Sequence, residues 1–157
     1  MPGPSASRQD IDRAASALVV SLPALHRGLE RQVAHEFAHP RLPDGQLALL
    51  FLVEEREGIT VREAAEALLM KPNNVSALVS QLTDGGLLER RQDAADKRVA
   101  RLHPTATARE RLAEARTIKE SHLARALHTL TEGELDALGA ALGALASLNR
   151  HLHLPAG

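Results

Sequence analysis

The sequence predicts a mostly α-helical chain interrupted by one small β-hairpin, and three observations predict it. Apolar residues recur at three- and four-residue steps over most of the 157 positions, the period of an amphipathic helix. Ala and Leu dominate long stretches, which favours helix. Only around residues 87–102 does the period change, in two short segments that flank a polar stretch.

The elements follow in chain order. Ile11, Ala14, Ala15, Leu18, Leu22, Leu25, Leu29 and Val33 mark a first helix over about 10–38, bent or broken near Pro23 and stopped at Pro40. A loop from Arg41 leads into a second helix, about 44–56, with Leu47, Leu50, Phe51 and Val53 apolar and Gly58 closing it. Thr60 to Leu69 reads as a short third helix, because Thr60 and Glu63 have capping-box spacing. Pro72 opens a fourth, about 72–84, whose apolar side is Val75, Leu78, Val79 and Leu82; Gly85-Gly86 ends it. Residues 87–91 and 98–102 are expected to pair as a hairpin across Gln92–Lys97. Thr105 or Thr107 caps a fifth helix to about 130, and the box Thr131-Glu132-Gly133-Glu134 opens a sixth to about 152.

A tight helix pair followed by a hairpin is a winged helix-turn-helix module, here about 44–104. The long helices over about 10–38 and 106–153 flank it and carry more apolar surface than one small domain can bury. They are therefore expected to pair with symmetry mates in a homodimer. Residues 1–9 form a Pro/Gly/Ser-rich tail expected to be disordered, leaving 10–157 as a single domain. Gly139-x-x-x-Gly143 lies in an apolar run and permits close helix packing, within the chain or across the dimer.

Composition narrows the function classes. There is no cysteine, which excludes disulfides, thiolate metal sites and thiol redox sensing. Phe37 and Phe51 are the only residues of the Phe/Trp/Tyr kind, too few for the stacking platform of a single-strand nucleic-acid binder. No apolar run is long enough to span a membrane, and the first residues lack the apolar core of a signal peptide. A cytoplasmic protein is expected. The net charge is −1, but residues 85–111 hold 7 Lys/Arg against 4 Asp/Glu, a local +3. Such a patch suits contact with phosphates, and equally a solvated basic loop.

Between Ala65 and Thr105 the residues are more specific than the charge. Ala65-Glu66-Ala67-Leu68 is followed by a turn, a polar helix and Leu82. Gly86-Leu87-Leu88-Glu89-Arg90-Arg91, Asp93, Asp96-Lys97-Arg98 and Thr105 come next. In these forty residues the chain resembles the MarR (multiple antibiotic resistance regulator) family, and the helix pattern extends the resemblance over most of the chain. The resemblance implies a transcriptional regulator that binds a pseudo-palindromic duplex as a homodimer and is tuned, as repressor or activator, by a small-molecule effector. That effector would lodge between the dimer layer and the DNA-binding module.

The physics of the module agrees with duplex DNA as partner. A helix fits the major groove, and a wing beside it can place an arginine in the narrower, more negative minor groove. The candidate recognition-helix residues are Lys71, Asn73, Asn74, Ser76, Ser80 and Gln81, since Asn and Gln can bond adenine edges bidentately. The candidate wing residues are Arg90, Arg91, Asp96, Lys97, Arg98 and Arg101, with Asp96 orienting Arg98. The chain departs from the family at Ala77 and Gln81, where basic residues are frequent. Lys71 replaces a side-chain N-cap, and Leu69 stands where the turn often has Gly.

One motif points elsewhere. His35-Glu36-Phe37-Ala38-His39 satisfies the His-Glu-x-x-His zinc-hydrolase pattern, with Glu54, Glu55 or Glu57 as conceivable third ligands. Pro40 follows at once, so the pattern would sit at a fraying helix end, and surface or interface histidines are expected there. No catalytic residue, metal ligand or cofactor is therefore expected. Two alternatives stay open: a small zinc hydrolase, and a ligand- or metal-sensing dimer whose winged helix contacts protein rather than DNA.

Overall fold

The structure, a computed structural model, describes residues 7–152. Its elements are α1 (Arg8–Glu36), α2 (Asp44–Glu55), α3 (Val61–Ala67), α4 (Pro72–Asp84), β1 (Leu88–Gln92), β2 (Ala100–Pro104), α5 (Ala106–Leu127) and α6 (Glu132–Leu152). A mostly helical chain with one two-stranded antiparallel sheet is what the periodicity predicts. The tail expected over 1–9 lies, for residues 1–6, outside the described residues, as does position 153 of the last helix. Arg8 and Gln9 are helical. Ser7 opens α1, its hydroxyl accepting from the Asp10 N–H at 3.2 Å.

Two compact units divide the chain. Glu30–Ile118 forms one, and Met1–Leu29 with Lys119–Gly157 forms the other. The first contains the helix pair and the hairpin around one core. Leu49, Leu50 and Val53 of α2, Val75, Val79 and Leu82 of α4, and Leu88 and Leu102 of the strands are all buried. Thr60 caps α3 as the spacing predicts: its hydroxyl accepts from Glu63 N at 3.2 Å, while the Glu63 carboxylate accepts from Thr60 N at 2.8 Å. α4 keeps its expected bounds, with Pro72 in its first turn and no side-chain cap from Lys71.

Several boundaries differ from the sequence reading, each for a local reason. α1 runs unbroken through Pro23 but stops at Glu36 rather than 38. Pro40 disfavours helical geometry at His39, and the last helical-type bond runs from Phe37 N to Val33 O. α3 ends at Ala67, because Leu68 is its C-cap and Leu69 is left-handed. β2 lies two residues later than expected. Residues 93–99 form a closed turn, with Asp93 N donating to Val99 O and Val99 N to Asp96 O, both at 2.9 Å. Arg98 therefore sits in the turn and not in a strand. The register pairs Leu88 with Pro104 and Arg91 with Arg101. Thr105 is the residue that caps α5, and the Thr131/Glu134 box opens α6.

In the second unit, α6 buries none of its residues. Val19 of α1 is 74% exposed and Leu142 of α6 63%. A Cβ built on Gly139 or Gly143 would meet nothing within 4 Å among the described residues. Among the described residues, no helix is long and apolar enough to cross a membrane.

Candidate nucleic-acid interface

α4 is held by its inner face. Val75, Val79 and Leu82 are buried to 1% exposure or less, which turns Asn73, Asn74, Ala77, Ser80 and Gln81 outward. Lys71, Asn73 and Asn74 stand exposed at the helix's N-terminal end, while Ser76 is half-buried. Two of the predicted polar groups have partners within the chain. The Ser80 hydroxyl donates to Ser76 O at 3.1 Å, and the Gln81 side-chain oxygen accepts from Gln46 Nε2 of α2 at 3.0 Å. Asn73 and Asn74 are thus the amides best presented to a ligand.

The wing tip is built on two carboxylates. Asp93 accepts from the backbone N–H of Ala95 at 2.7 Å and of Asp96 at 3.1 Å, and it pairs with the Arg101 guanidinium. These bonds, that from Ala95 first, hold its carboxyl below the usual range. Asp96 accepts from Arg98 N at 3.0 Å and from Arg98 Nε at 3.3 Å. The Arg98 side chain is nonetheless 91% exposed, so its position is set while its outer nitrogens face solvent. Lys97 and Arg90 are also exposed.

Arg91 and Arg101 differ from these. They oppose each other across the hairpin, where like charges repel, and each is matched by its own carboxylate, Glu89 for Arg91 and Asp93 for Arg101. Arg101 also donates through Nη1 to the Gly58 carbonyl at 2.9 Å. Arg101 is one of the wing candidates for DNA contact, and in the structure its guanidinium ties the wing to the turn after α2.

A cluster at the wing's base escaped sequence reasoning. Glu57 accepts from Arg109 of α5 at 2.7 Å and sits 2.9 Å from His103 Nδ1 of β2. These bonds, Arg109 first, lower its pKa from 4.5 to about 2. Glu54 pairs with Arg116 at 3.3 Å. The backbone of Gly58 to Thr60 pairs with β2 as well, through Leu102 N to Ile59 O and Gly58 N to Leu102 O, both at 2.9 Å. No periodicity signals so short a pairing.

The His-Glu-x-x-His pattern does not assemble. His35 is in the last turn of α1, whereas His39 lies past its end and 3.5 Å from Glu114. Glu54 and Glu57, conceivable third ligands, are engaged by arginines. Among the described residues no three His, Asp or Glu side chains group as a metal site.

Known proteins are similar to this chain in sequence and fold. Residues 42–99 match the MarR family model. The transcriptional repressor MdtR of Bacillus subtilis is 26% identical over 79% of this chain and 80% of its own. A protein from Pseudomonas aeruginosa PA01, solved as a candidate transcriptional regulator, is 29% identical with a TM-score of 0.75, covering 92% of this chain and 98% of that one. A variant of S. aureus MepR, solved with an oligodeoxyribonucleotide, is similar in fold alone: 19% identity, TM-score 0.59, 91% and 98% coverage. Residues 42–99 thus match the MarR-family module, and over most of its length the chain is similar to winged helix-turn-helix transcriptional regulators.

Proposed function

We propose that this regulator binds a pseudo-palindromic duplex as a homodimer. α4 enters the major groove through Asn73 and Asn74, and Arg98 enters the minor groove from the wing. The observation that carries this reading is the pairing of two features on one core. α4 has a polar, exposed outer face, and the hairpin beside it in the sequence presents a guanidinium that is 91% exposed yet oriented by Asp96. Lys71, Arg90 and Lys97 supply phosphate contacts, Ser76, Ser80 and Gln81 flank the amides, and Arg91, Asp96 and Arg101 shape the wing.

Dimerisation is supported by the apolar side chains that α1 and α6 leave exposed, and by the open space at Gly139 and Gly143. Two recognition helices would then address half-sites roughly one helical turn apart, about 10 base pairs. A small-molecule effector that favours one spacing of the two helices would release or hold the DNA. The chain acts by binding and not by catalysis. The experiment is retention of fragmented genomic DNA on the purified protein, sequencing of what is retained, and gel shifts on the recovered duplex. Retention without sequence enrichment would refute specific recognition.

A further inference from the structure

The turn between α3 and α4 contains a residue that folding does not explain. Met70 N donates to Ala65 O at 2.9 Å and Leu69 N to Glu66 O at 3.3 Å, the paired bonds of a Schellman turn. Leu69 takes its left-handed position at φ 53°, alone among the described non-glycine residues in having positive φ. A Cβ is strained there and glycine is not. The Leu69 side chain is also 94% exposed. In the unit Glu30–Ile118 the other large apolar side chain left exposed is Phe51, at 40%. The fold therefore bears backbone strain for a leucyl group that contributes no burial to the core.

Strain that packing does not offset points to a bound state in which the group is used. The location says which one. Two residues later Lys71 is the N-cap of α4, and Pro72, Asn73 and Asn74 are exposed beyond it. Leu69 extends the exposed N-terminal end of the recognition helix. Resting on the duplex-binding reading above, we propose that Leu69 is a DNA-contact residue. Its isobutyl group packs on apolar surface of the duplex at each half-site, either a thymine 5-methyl, the apolar group displayed in the major groove, or deoxyribose carbons.

The test uses the full chain and the duplex recovered by retention, with Leu69→Gly, Leu69→Asn and Leu69→Met. Glycine, and to a lesser degree asparagine, relieve the strain; Leu69→Gly should raise the thermal midpoint by about 2–4 °C. Both should weaken binding about tenfold with the salt slope unchanged, because apolar contact and no charge is lost. Leu69→Met should bind like wild type. Replacing thymine by uracil separates the two sources: a loss in wild type that is absent in Leu69→Gly assigns the methyl, and no such difference assigns the deoxyribose. Wild-type affinity in Leu69→Gly, or a loss in Leu69→Gly that Leu69→Asn does not share, overturns the proposal. A wild-type protein that binds no duplex would instead overturn the reading beneath it.

Discussion

Two of the wing arginines, Arg98 and Arg101, should fail differently when replaced by alanine. Each phosphate neutralised by a cation steepens the dependence of log affinity on log salt by roughly 0.9. In each protomer of the proposed dimer, Lys71, Arg90, Lys97 and Arg98 are the exposed cations of the module's proposed DNA face. Eight such groups in a dimer bound the wild-type slope at about −7. Arg98→Ala removes two of them, so the slope should become shallower by about 1.8. Between 50 and 200 mM salt that is roughly a twelvefold smaller loss of affinity. Arg101 is already neutralised by Asp93 and bonded to the Gly58 carbonyl. Arg101→Ala should therefore loosen the wing and weaken binding while leaving the slope within about 0.5 of wild type. Fluorescence anisotropy on one recovered duplex and one scrambled duplex, at four or more salt concentrations, separates the two behaviours. A slope that falls in Arg101→Ala and stays unchanged in Arg98→Ala would show that the outward and inward roles have been exchanged.

The remaining expectations concern stability and assembly. The Glu57 carboxyl is held at about 2 against an ordinary 4.5 by Arg109 and His103. Its contribution is present above pH 4.5 and is lost as pH falls toward about 2. Glu57→Gln should flatten that part of the acid-unfolding curve, and an unchanged curve would show that the cluster adds nothing. Thr60→Ala deletes the acceptor for Glu63 N and should cost about 1 kcal/mol in denaturant unfolding; a loss below about 0.3 kcal/mol would mean the box is idle. Leu142→Glu places a charge on the exposed apolar face of α6. It should shift sedimentation from dimer to monomer, and a wild-type protein that sediments as a folded monomer at micromolar concentration would defeat the dimer reading.

What could be read from the sequence is what neighbours in the chain decide. Both capping boxes, the bounds of α4 and the change of period at the hairpin depend on residues within a few positions of each other, and all three are present. The strand register was missed because it is set from a distance. Gly58 and Ile59 pair with Leu102, and Arg101 reaches a carbonyl 43 residues away. Glu57 finds His103 and Arg109 across 46 and 52 residues, and no spacing rule reports such partners. The His-Glu-x-x-His pattern misleads for the opposite reason. It is a local match, but a second local rule, the effect of Pro40 on His39, removes the helix it requires.

A chain with net charge −1 still suits the proposed DNA binding, because its carboxylates are placed where they organise cations. Asp93 and Asp96 fold the turn that carries Arg98, and Glu57 fixes the base of the same hairpin from behind. The consequence is a division of labour set by chemistry. Non-specific affinity grows with the number of free cations, and internal pairing of Arg91, Arg101 and Arg109 keeps that number small. α4 adds no Lys or Arg after its cap, so under the proposed function it would contribute hydrogen bonding to base edges, which carries sequence information and little salt dependence. Under the proposed function, pairing the surplus cations would lower binding to random duplex more than binding to the operator. On this argument the intramolecular ion pairs of the wing serve discrimination between sequences as much as stability.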